Sequence, residues 1–202
     1  QEVISISTFE ELIDSISNDE FWHCNDEYNK LLIKKQIAKK IIDYFIDVDY
    51  KKILDLIVQY SHICIEFSEY KESITVLTHT RELCEAEENY DERILLSINL
   101  AIAYSYFHGC DQKEVVSCLK AIDEMADKIQ LSDDDLFDIY NLHIMTKSYF
   151  GEMENAKQYF DKICELKITE RDFMTAMLNY TSGLIQVKKM DDAMFYMMKF
   201  KE

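Results

Sequence analysis

The sequence predicts an all-α protein built from antiparallel helical hairpins, and three observations point to this fold class. Its 202 residues include no Pro and only three Gly, too few turn-formers for a many-turned β-sandwich. Apolar residues recur at helical spacing almost throughout the chain. Short acceptor side chains followed three residues later by an acid mark repeated helix starts. A composition of 48% hydrophobic and 30% charged residues is globular, and the length suffices for a continuous core.

Each helix is predicted from its apolar stripe, and several also have a capping signal at their start. The predicted helices span 8–18, 26–46, 50–67, 70–87, 91–107, 112–129, 133–149, 152–166, 170–187 and 190–201. The capping pairs are Thr8 with Glu11, Asp111 with Glu114, Ser132 with Asp135, and Thr169 with Asp172. Gly109 and Gly151 fall between helices, where a left-handed residue can close a turn.

The helices repeat in pairs. The first helix of each pair contains an amide followed by Tyr or Leu; these amides are Gln59, Asn99, Asn141 and Asn179, at separations of 40, 42 and 38 residues. The second helix contains a small residue and, four positions later, a large one; these are Ser73 with Leu77, Ala156 with Phe160, and Ala193 with Met197. Small residues allow helices to cross closely, so the period predicts stacked αα-hairpins.

These repeats resemble tetratricopeptide (TPR) repeats. Residues 178–200 match best, with Asn179, Tyr180, Gly183, Met190 and Ala193 at the family spacing. The resemblance covers about 51–202. The repeats depart from the family in their period of ~40 residues and in the absence of the terminal proline. The resemblance implies a right-handed superhelix. It makes 1–202 a single TPR-like domain, in which 1–50 are N-terminal helices or a linker from a missing upstream domain.

Long, acidic, degenerate repeats of this kind look like the C-terminal domains of the Rgg/PlcR/PrgX/NprR/Rap receptors of Gram-positive bacteria. The resemblance implies a quorum-sensing role, in which a cytoplasmic transcriptional regulator binds a short signalling peptide on its concave face. It also implies a helix-turn-helix DNA-binding domain before Gln1, and the absence of an initial Met is consistent with an excised segment. Two alternatives remain open: a generic TPR adaptor for a protein tail, and an all-helical enzyme.

The amides are the strongest candidate binding residues. An Asn side chain offers one acceptor and two donors, which match the backbone of an extended peptide. The resemblance implies that Asn99, Asn141 and Asn179 hold peptide backbone; the alternative is that each amide bridges adjacent helices. Further residues expected on the same face are Gln59, His62, Tyr106, Met145, Tyr149 and Gln186. Met145 could equally be core, and for the mid-helix Gly183 we favour close helix packing over room for a ligand.

The charge restricts the class of partner. A formal charge of −17 disfavours direct binding to nucleic acid or anionic membranes, so any DNA contact would need a domain absent from this chain. A short hydrophobic or basic peptide fits better, although acidity also serves solubility. No apolar run approaches a membrane span and no signal peptide is evident. Six irregularly spaced Cys indicate reduced thiols, so we expect a cytoplasmic protein.

Catalytic, cofactor and metal motifs are absent from the sequence. It has no Gly-rich phosphate loop, no nucleophile elbow and no His-Glu-x-x-His. His62, His79 and His143 stand apart from one another, and the acidic run 133–135 is better explained as a helix start. We therefore expect no enzymatic activity, no cofactor and no metal.

The last predicted helix has apolar residues around most of its circumference. Ala193, Met197 and Phe200 are expected to pack on the preceding hairpin, which leaves Met194, Phe195 and Met198 exposed. These three residues are expected to form a homodimer interface; the alternative is a missing capping helix.

Overall fold

The computed structural model describes residues 27–199, and within this range the chain is helical, with no strand. The helices are α1 (Glu27–Asp49), α2 (Leu54–Glu66), α3 (Tyr70–Glu85), α4 (Glu92–His108), α5 (Gln112–Ala126), α6 (Asp133–Tyr149), α7 (Met153–Ile163), α8 (Glu170–Gln186) and α9 (Met190–Lys199). A 3₁₀ turn, Tyr50–Ile53, joins α1 to α2. The all-α prediction is confirmed, whereas the helix predicted over 8–18 lies outside the described residues. None of the helices described is both long and apolar enough to cross a membrane.

The predicted capping signals start three of these helices. The Ser132 hydroxyl accepts a hydrogen bond from the Asp135 backbone N–H, and the Asp135 carboxylate accepts one from the Ser132 N–H in return. Thr169 accepts a hydrogen bond from the N–H of Asp172 at 3.2 Å. Asp111 accepts one from the N–H of Glu114 at 3.4 Å. Each bond satisfies a donor that the first helical turn would otherwise leave unpaired.

The first helix of every hairpin ends in the same way. A residue in the left-handed region follows α2, α4, α6 and α8; these residues are Ser68, Cys110, Gly151 and Lys188, with φ between 59° and 75°. The N–H of the next residue bonds back to a carbonyl five residues earlier, which is a Schellman closure. Gly151 behaves as predicted. The prediction for Gly109 is wrong, because Gly109 has φ −75° and Cys110 takes the left-handed position.

The chain divides into two compact units, Gln1–Tyr90 and Asp91–Glu202. In the first unit, α2 and α3 form a hairpin and α1 packs on α2. Ile42, Ile57, Tyr60 and Leu77 are among its fully buried side chains. Ion pairs also connect residues 35–51, in and after α1, to residues 69–87, in and beside α3; they are Lys35 with Glu69, Lys39 with Glu72, and Lys51 with Glu87. The His79 ring makes a hydrogen bond with Asp47 across the same two helices.

The second unit contains three hairpins, α4–α5, α6–α7 and α8–α9. Among the first helices, α6 packs against both α4 and α8. The predicted small residues Ala156 and Ala193 are buried, and Phe160 stacks on Tyr180 with ring centroids 5.0 Å apart. Neighbouring hairpins therefore share a core, as the repeat predicts. The right-handed superhelix stays a prediction.

The last helix packs differently from the expectation. Ala193 is buried as predicted, but Met197 is 41% exposed, and Phe200 lies outside the described residues. Tyr196 packs instead, with its ring edge-on to both Phe160 and Tyr180. Tyr196 lies three residues after Ala193, so it shares the face on which that small residue contacts the hairpin.

Candidate functional site

Two of the predicted amides contact each other across neighbouring first helices. The Asn179 side-chain N–H on α8 donates to the carbonyl oxygen of Asn141 on α6 at 2.9 Å. The Asn141 side-chain N–H donates to the hydroxyl of Tyr104 on α4 at 3.3 Å. We call Tyr104, Asn141 and Asn179 the amide ladder. The alternative considered above, that amides bridge adjacent helices, thus describes Asn141 and Asn179.

Asn99 is not part of this ladder. Its side chain is buried, and its amide nitrogen lies 3.5 Å from the sulfur of Met125 on α5, within its own hairpin. Tyr106 lies seven residues after Asn99 on the same face of α4 and is half-buried against the core between α4, α5 and α6. Tyr104 projects from a different face and takes the position that the sequence assigned to Asn99.

The members of the ladder differ in how much hydrogen-bonding capacity they have left. Asn141 is buried, accepts from Asn179 and donates to Tyr104, so its amide is largely occupied. Asn179 is half-buried and makes a single hydrogen bond within the described part of the chain. An amide has one acceptor and two donors, so Asn179 retains an acceptor oxygen and a second N–H. Asn141 holds Asn179, and Asn179 is the member able to contact a ligand.

The ladder lies beside a partly exposed stripe along α6. Asp134, Asp138, Asn141, Met145 and Tyr149 follow at intervals of three or four residues, which places them on one face of the helix. Met145 is half-buried, with its sulfur 3.9 Å from the Asn141 amide nitrogen, and Tyr149 is exposed. Met145 and Tyr149 therefore share a helix face with Asn141, and their role in peptide binding stays a prediction.

An apolar pocket lies at the Tyr149 end of this stripe. Tyr149, Phe107 and Phe150 line it together with Val115, and its cavity volume is about 10 Å³, which is room for about one water molecule. The Tyr149 ring stands edge-on to Phe107, with centroids 6.1 Å apart. Thr146 also lines the pocket; its hydroxyl is buried and has no hydrogen-bond partner among residues 27–199. The stripe thus runs from carboxylates at one end to an aromatic pocket at the other.

The remaining predicted residues are accessible but separate from the ladder. Gln186 is exposed on α8, seven residues beyond Asn179 and on the same face of that helix. Gln59 and His62 are exposed on α2, three residues apart and therefore neighbours on that helix. Both belong to the first unit.

Carboxylates dominate the electrostatics near the ladder. Partial burial, together with the negative charges of Asp172, Asp135 and Asp134, raises the pKa of Asp138 from 3.8 to about 6. The Tyr104 hydroxyl donates to the backbone carbonyl of Asp138 at 3.5 Å, and burial raises the pKa of Tyr104 above its usual range. At neutral pH Asp138 remains mostly ionised, so this end of the stripe favours positive charge.

Two of the histidines, His143 and His79, contact carboxylates. His143 is buried, its Nε2 lies 2.9 Å from a carboxylate oxygen of Asp123, and its ring stacks on Tyr159 at 4.1 Å. His79 pairs with Asp47 at 2.7 Å. Among residues 27–199, no group of three or more His, Cys, Asp or Glu side chains is arranged to hold a metal ion. Comparisons of the chain with protein-family models and with curated proteins gave no match.

Proposed function

We propose that this chain is a peptide-binding domain of the helical-repeat type, the sensor part of a cytoplasmic transcriptional regulator. In this proposal a short peptide binds along α4, α6 and α8 and controls a helix-turn-helix domain elsewhere in the full protein. The all-helical hairpins with their recurring Schellman closures and the resemblance of residues 51–202 to peptide-sensing receptors support it.

The observation that carries the proposal is the spare hydrogen-bonding capacity of Asn179. Its acceptor oxygen and second N–H fit the N–H and C=O of one residue in an extended peptide. Asn141 and Tyr104 fix the orientation of this amide before a ligand arrives, and that lowers the entropic cost of binding. A contact to backbone supplies affinity without demanding a particular peptide sequence.

The stripe on α6 indicates the chemistry of the ligand side chains. Asp134 and Asp138 favour a cationic group at one end, either a Lys or Arg side chain or an amino terminus. Met145 and the exposed rings of Tyr149 and Phe150 favour apolar groups at the other end. The ligand is therefore a short peptide with both basic and apolar residues.

A peptide-library experiment tests this function. Fluorescence polarisation would follow two pools of fluorescein-labelled heptapeptides, one rich in Lys, Arg, Leu and Phe, the other in Asp, Glu and Ser. We expect saturable binding of the basic and apolar pool only. Asn179→Ala should weaken binding by about 1–3 kcal/mol, because a peptide polar group loses its partner. Asn141→Ala should weaken binding as well, because it releases Asn179.

Two matched controls accompany the variants. Asn155 is exposed on α7 and donates to Glu152 in the same turn, so Asn155→Ala should leave binding unchanged. Asn99→Ala should also leave it unchanged, because Asn99 faces Met125 inside its hairpin. Equal affinities for the Asn179→Ala and Asn155→Ala variants would refute the ladder as the peptide contact, and failure of both pools to bind would refute the function.

A further inference from the structure

A cleft with a volume of about 320 Å³ lies in the first unit, between α1 and the start of α3. We call it the α1–α3 cleft. The residues that line it are Leu32, Lys35, Gln36 and Lys39 of α1, Tyr60 of α2, and Glu69 and Glu72 at the start of α3. Its volume is at the lower end of the range of ligand pockets, so the cleft suits a small molecule. Two lysines and two glutamates balance its charge, although the whole chain carries −17.

The two ion pairs of the cleft differ in how completely they are hydrogen-bonded. Glu72 accepts a hydrogen bond from Lys39 and another from the Tyr60 hydroxyl, the second at 3.2 Å. Lys35 instead makes a single hydrogen bond, to Glu69, within the part of the chain that the structure describes. An ammonium has three N–H donors and a carboxylate has about four acceptor sites. Lys35 and Glu69 therefore both retain hydrogen-bonding capacity beside the cleft.

The Lys35 side chain is largely withdrawn from water. It is 13% exposed, whereas the side chains of Lys39 and Lys51 are each 43% exposed. Its nitrogen lies 5.2 Å from the centroid of the Phe67 ring, and this cation–π contact satisfies no N–H donor. A charge in such a place costs free energy unless its hydrogen bonds are complete. An anionic oxygen of a ligand in the cleft would complete the hydrogen bonding of Lys35.

The glutamates restrict what this ligand can be. An anion alone would lie close to Glu69 and Glu72 and would be repelled by both. A molecule that carries an ammonium next to its carboxylate avoids this repulsion. Its carboxylate would accept from Lys35 while its ammonium donates to Glu69, so the four charges would alternate in sign. A carboxylate and an ammonium on neighbouring atoms are the defining groups of a free α-amino acid.

We propose that the α1–α3 cleft binds a free α-amino acid with an apolar side chain. Lys35 binds its carboxylate and Glu69 binds its ammonium. Leu32, which is half-buried, and the ring of Tyr60 form the apolar part of the lining and contact the ligand side chain. This site is independent of the proposed peptide function, because the cleft belongs to the first unit and the amide ladder to the second.

A similar arrangement near the other end of α3 provides the matched control. The Tyr50 hydroxyl donates to Glu87 at 3.0 Å, and Lys51 forms an ion pair with the same glutamate. These residues line a second cleft, of about 250 Å³, together with Asp47 and Asp49. Three carboxylates and one ammonium give that cleft a net negative charge, which does not match a zwitterion. Lys51 is also the more exposed lysine, so its donors are hydrated without a ligand.

Ligand-observed NMR tests the site. The chain would be mixed with L-valine, L-leucine, L-isoleucine, L-methionine and L-phenylalanine, and saturation transfer would identify those that bind. We expect transfer to at least one of the five, and saturable binding of that amino acid in isothermal titration. Its amide lacks the carboxylate and its N-acetyl form lacks the ammonium. Each of these two analogues should bind roughly tenfold more weakly or worse, because one charged contact is lost.

Variants of the chain locate the bound amino acid. Lys35→Met and Glu69→Gln each remove one charge with little change of shape, and each should raise the dissociation constant roughly tenfold or more. Glu69 is 46% exposed, so Glu69→Gln is expected to fold even if Lys35→Met does not, and circular dichroism checks both. Lys51→Met should leave the dissociation constant unchanged. Asn179→Ala should also leave it unchanged, which separates this site from the amide ladder.

Three results would overturn the proposal. The first is an absence of saturation transfer to all five amino acids. The second is an N-acetyl form that binds as tightly as its parent, because the ammonium would then have no contact with Glu69. The third is an affinity that Glu69→Gln leaves unchanged, since the amino acid would then bind outside the α1–α3 cleft.

Discussion

Three residues with a Cβ occupy the left-handed backbone region at the ends of first helices. Ser68, Cys110 and Lys188 have φ between 59° and 64°, where a side chain costs roughly 1–2 kcal/mol relative to Gly. Gly151 holds the same position after α6 without this cost. The Schellman closure therefore places a residue with a Cβ in the left-handed region at three of the four helix ends where it occurs, although this backbone conformation favours Gly.

Replacement of Lys188 by Gly should stabilise the protein by about 1 kcal/mol, because the left-handed backbone is then unstrained. The Lys188 side chain is exposed, so its loss removes little packing. Urea unfolding measures the change. Lys188→Ala serves as control and should stay within about 0.5 kcal/mol of the original, because alanine keeps the strain. Gly151→Ala should lower stability by about 1 kcal/mol, and a gain there would contradict the argument.

Gly183 is a second residue whose type is explained by backbone conformation and packing. A Cβ at this position would lie 2.5 Å from both Cβ and Oγ of Ser148 and 3.0 Å from the sulfur of Met153. The glycine costs about 1 kcal/mol in mid-helix, and close approach of α6 and α8 is its physical reason. The expectation of close packing at Gly183 is confirmed.

Gly183→Ala should lower the free energy of unfolding by about 1–3 kcal/mol, since the added methyl overlaps Ser148. Ser148→Gly removes the overlapping atoms, so the double variant should recover most of this loss. A double-mutant cycle in urea measures the coupling. If position 183 did not contact Ser148, Gly183→Ala would raise stability through the higher helix propensity of alanine. Such a rise would disprove the contact.

At the scale of elements, local signals predicted helix starts better than helix ends. Ser132 and Thr169 start α6 and α8 as expected, because a cap needs only the residues beside it. The left-handed residue after α4 is Cys110 rather than Gly109, and a cysteine is not a residue type from which a left-handed backbone can be predicted. The end of α1 was predicted at 46 but lies at Asp49, because the chain leaves the helix through a 3₁₀ turn that contains neither Gly nor Pro.

The candidate site shows the same limit on prediction from sequence. Asn141 and Asn179 were predicted because they share a register in neighbouring hairpins, and the structure joins them. Tyr104 was missed, although it lies 37 residues before Asn141, close to the repeat period. Which face of α4 meets α6 depends on how the hairpins pack, and that packing assigns the position to Tyr104 instead of Asn99.

The ladder should couple α6 to α8 energetically. Asn141→Ala is expected to lower stability by about 1–2 kcal/mol, because it leaves the half-buried Asn179 donor and the Tyr104 hydroxyl without this partner. In the background of Asn179→Ala the same change should cost measurably less. Asn155→Ala, on the exposed side of α7, is the control and should show no coupling with Asn141→Ala. Additive effects of Asn141→Ala and Asn179→Ala would contradict the bond between them.

At the scale of the whole molecule, the carboxylates make the free energy of unfolding depend on pH in two separate ranges. Asp138 has a pKa raised to about 6 by partial burial and neighbouring aspartates, so the folded state binds its proton more readily than the unfolded state. Hydrogen bonds from lysines lower the pKa of Glu72, Glu87 and Glu152, which gives the opposite linkage. Stability from these three glutamates is present above their ordinary value of 4.5 and is lost as the pH falls through their lowered values.

We therefore expect stability to rise as the pH falls from about 7 to about 5, and to fall again below about 4. In the upper range Asp138 takes up a proton in the folded protein and its repulsion from Asp135 and Asp172 disappears. Asp138→Asn should consequently be more stable than the original at pH 7, and the difference should vanish towards pH 4. Thermal unfolding of both proteins across this range measures it. Asp43→Asn, at an exposed carboxylate on α1, is the matched control. If the difference in stability between Asp138→Asn and the original protein is constant from pH 7 to pH 4, Asp138 does not titrate differently in the folded and unfolded states.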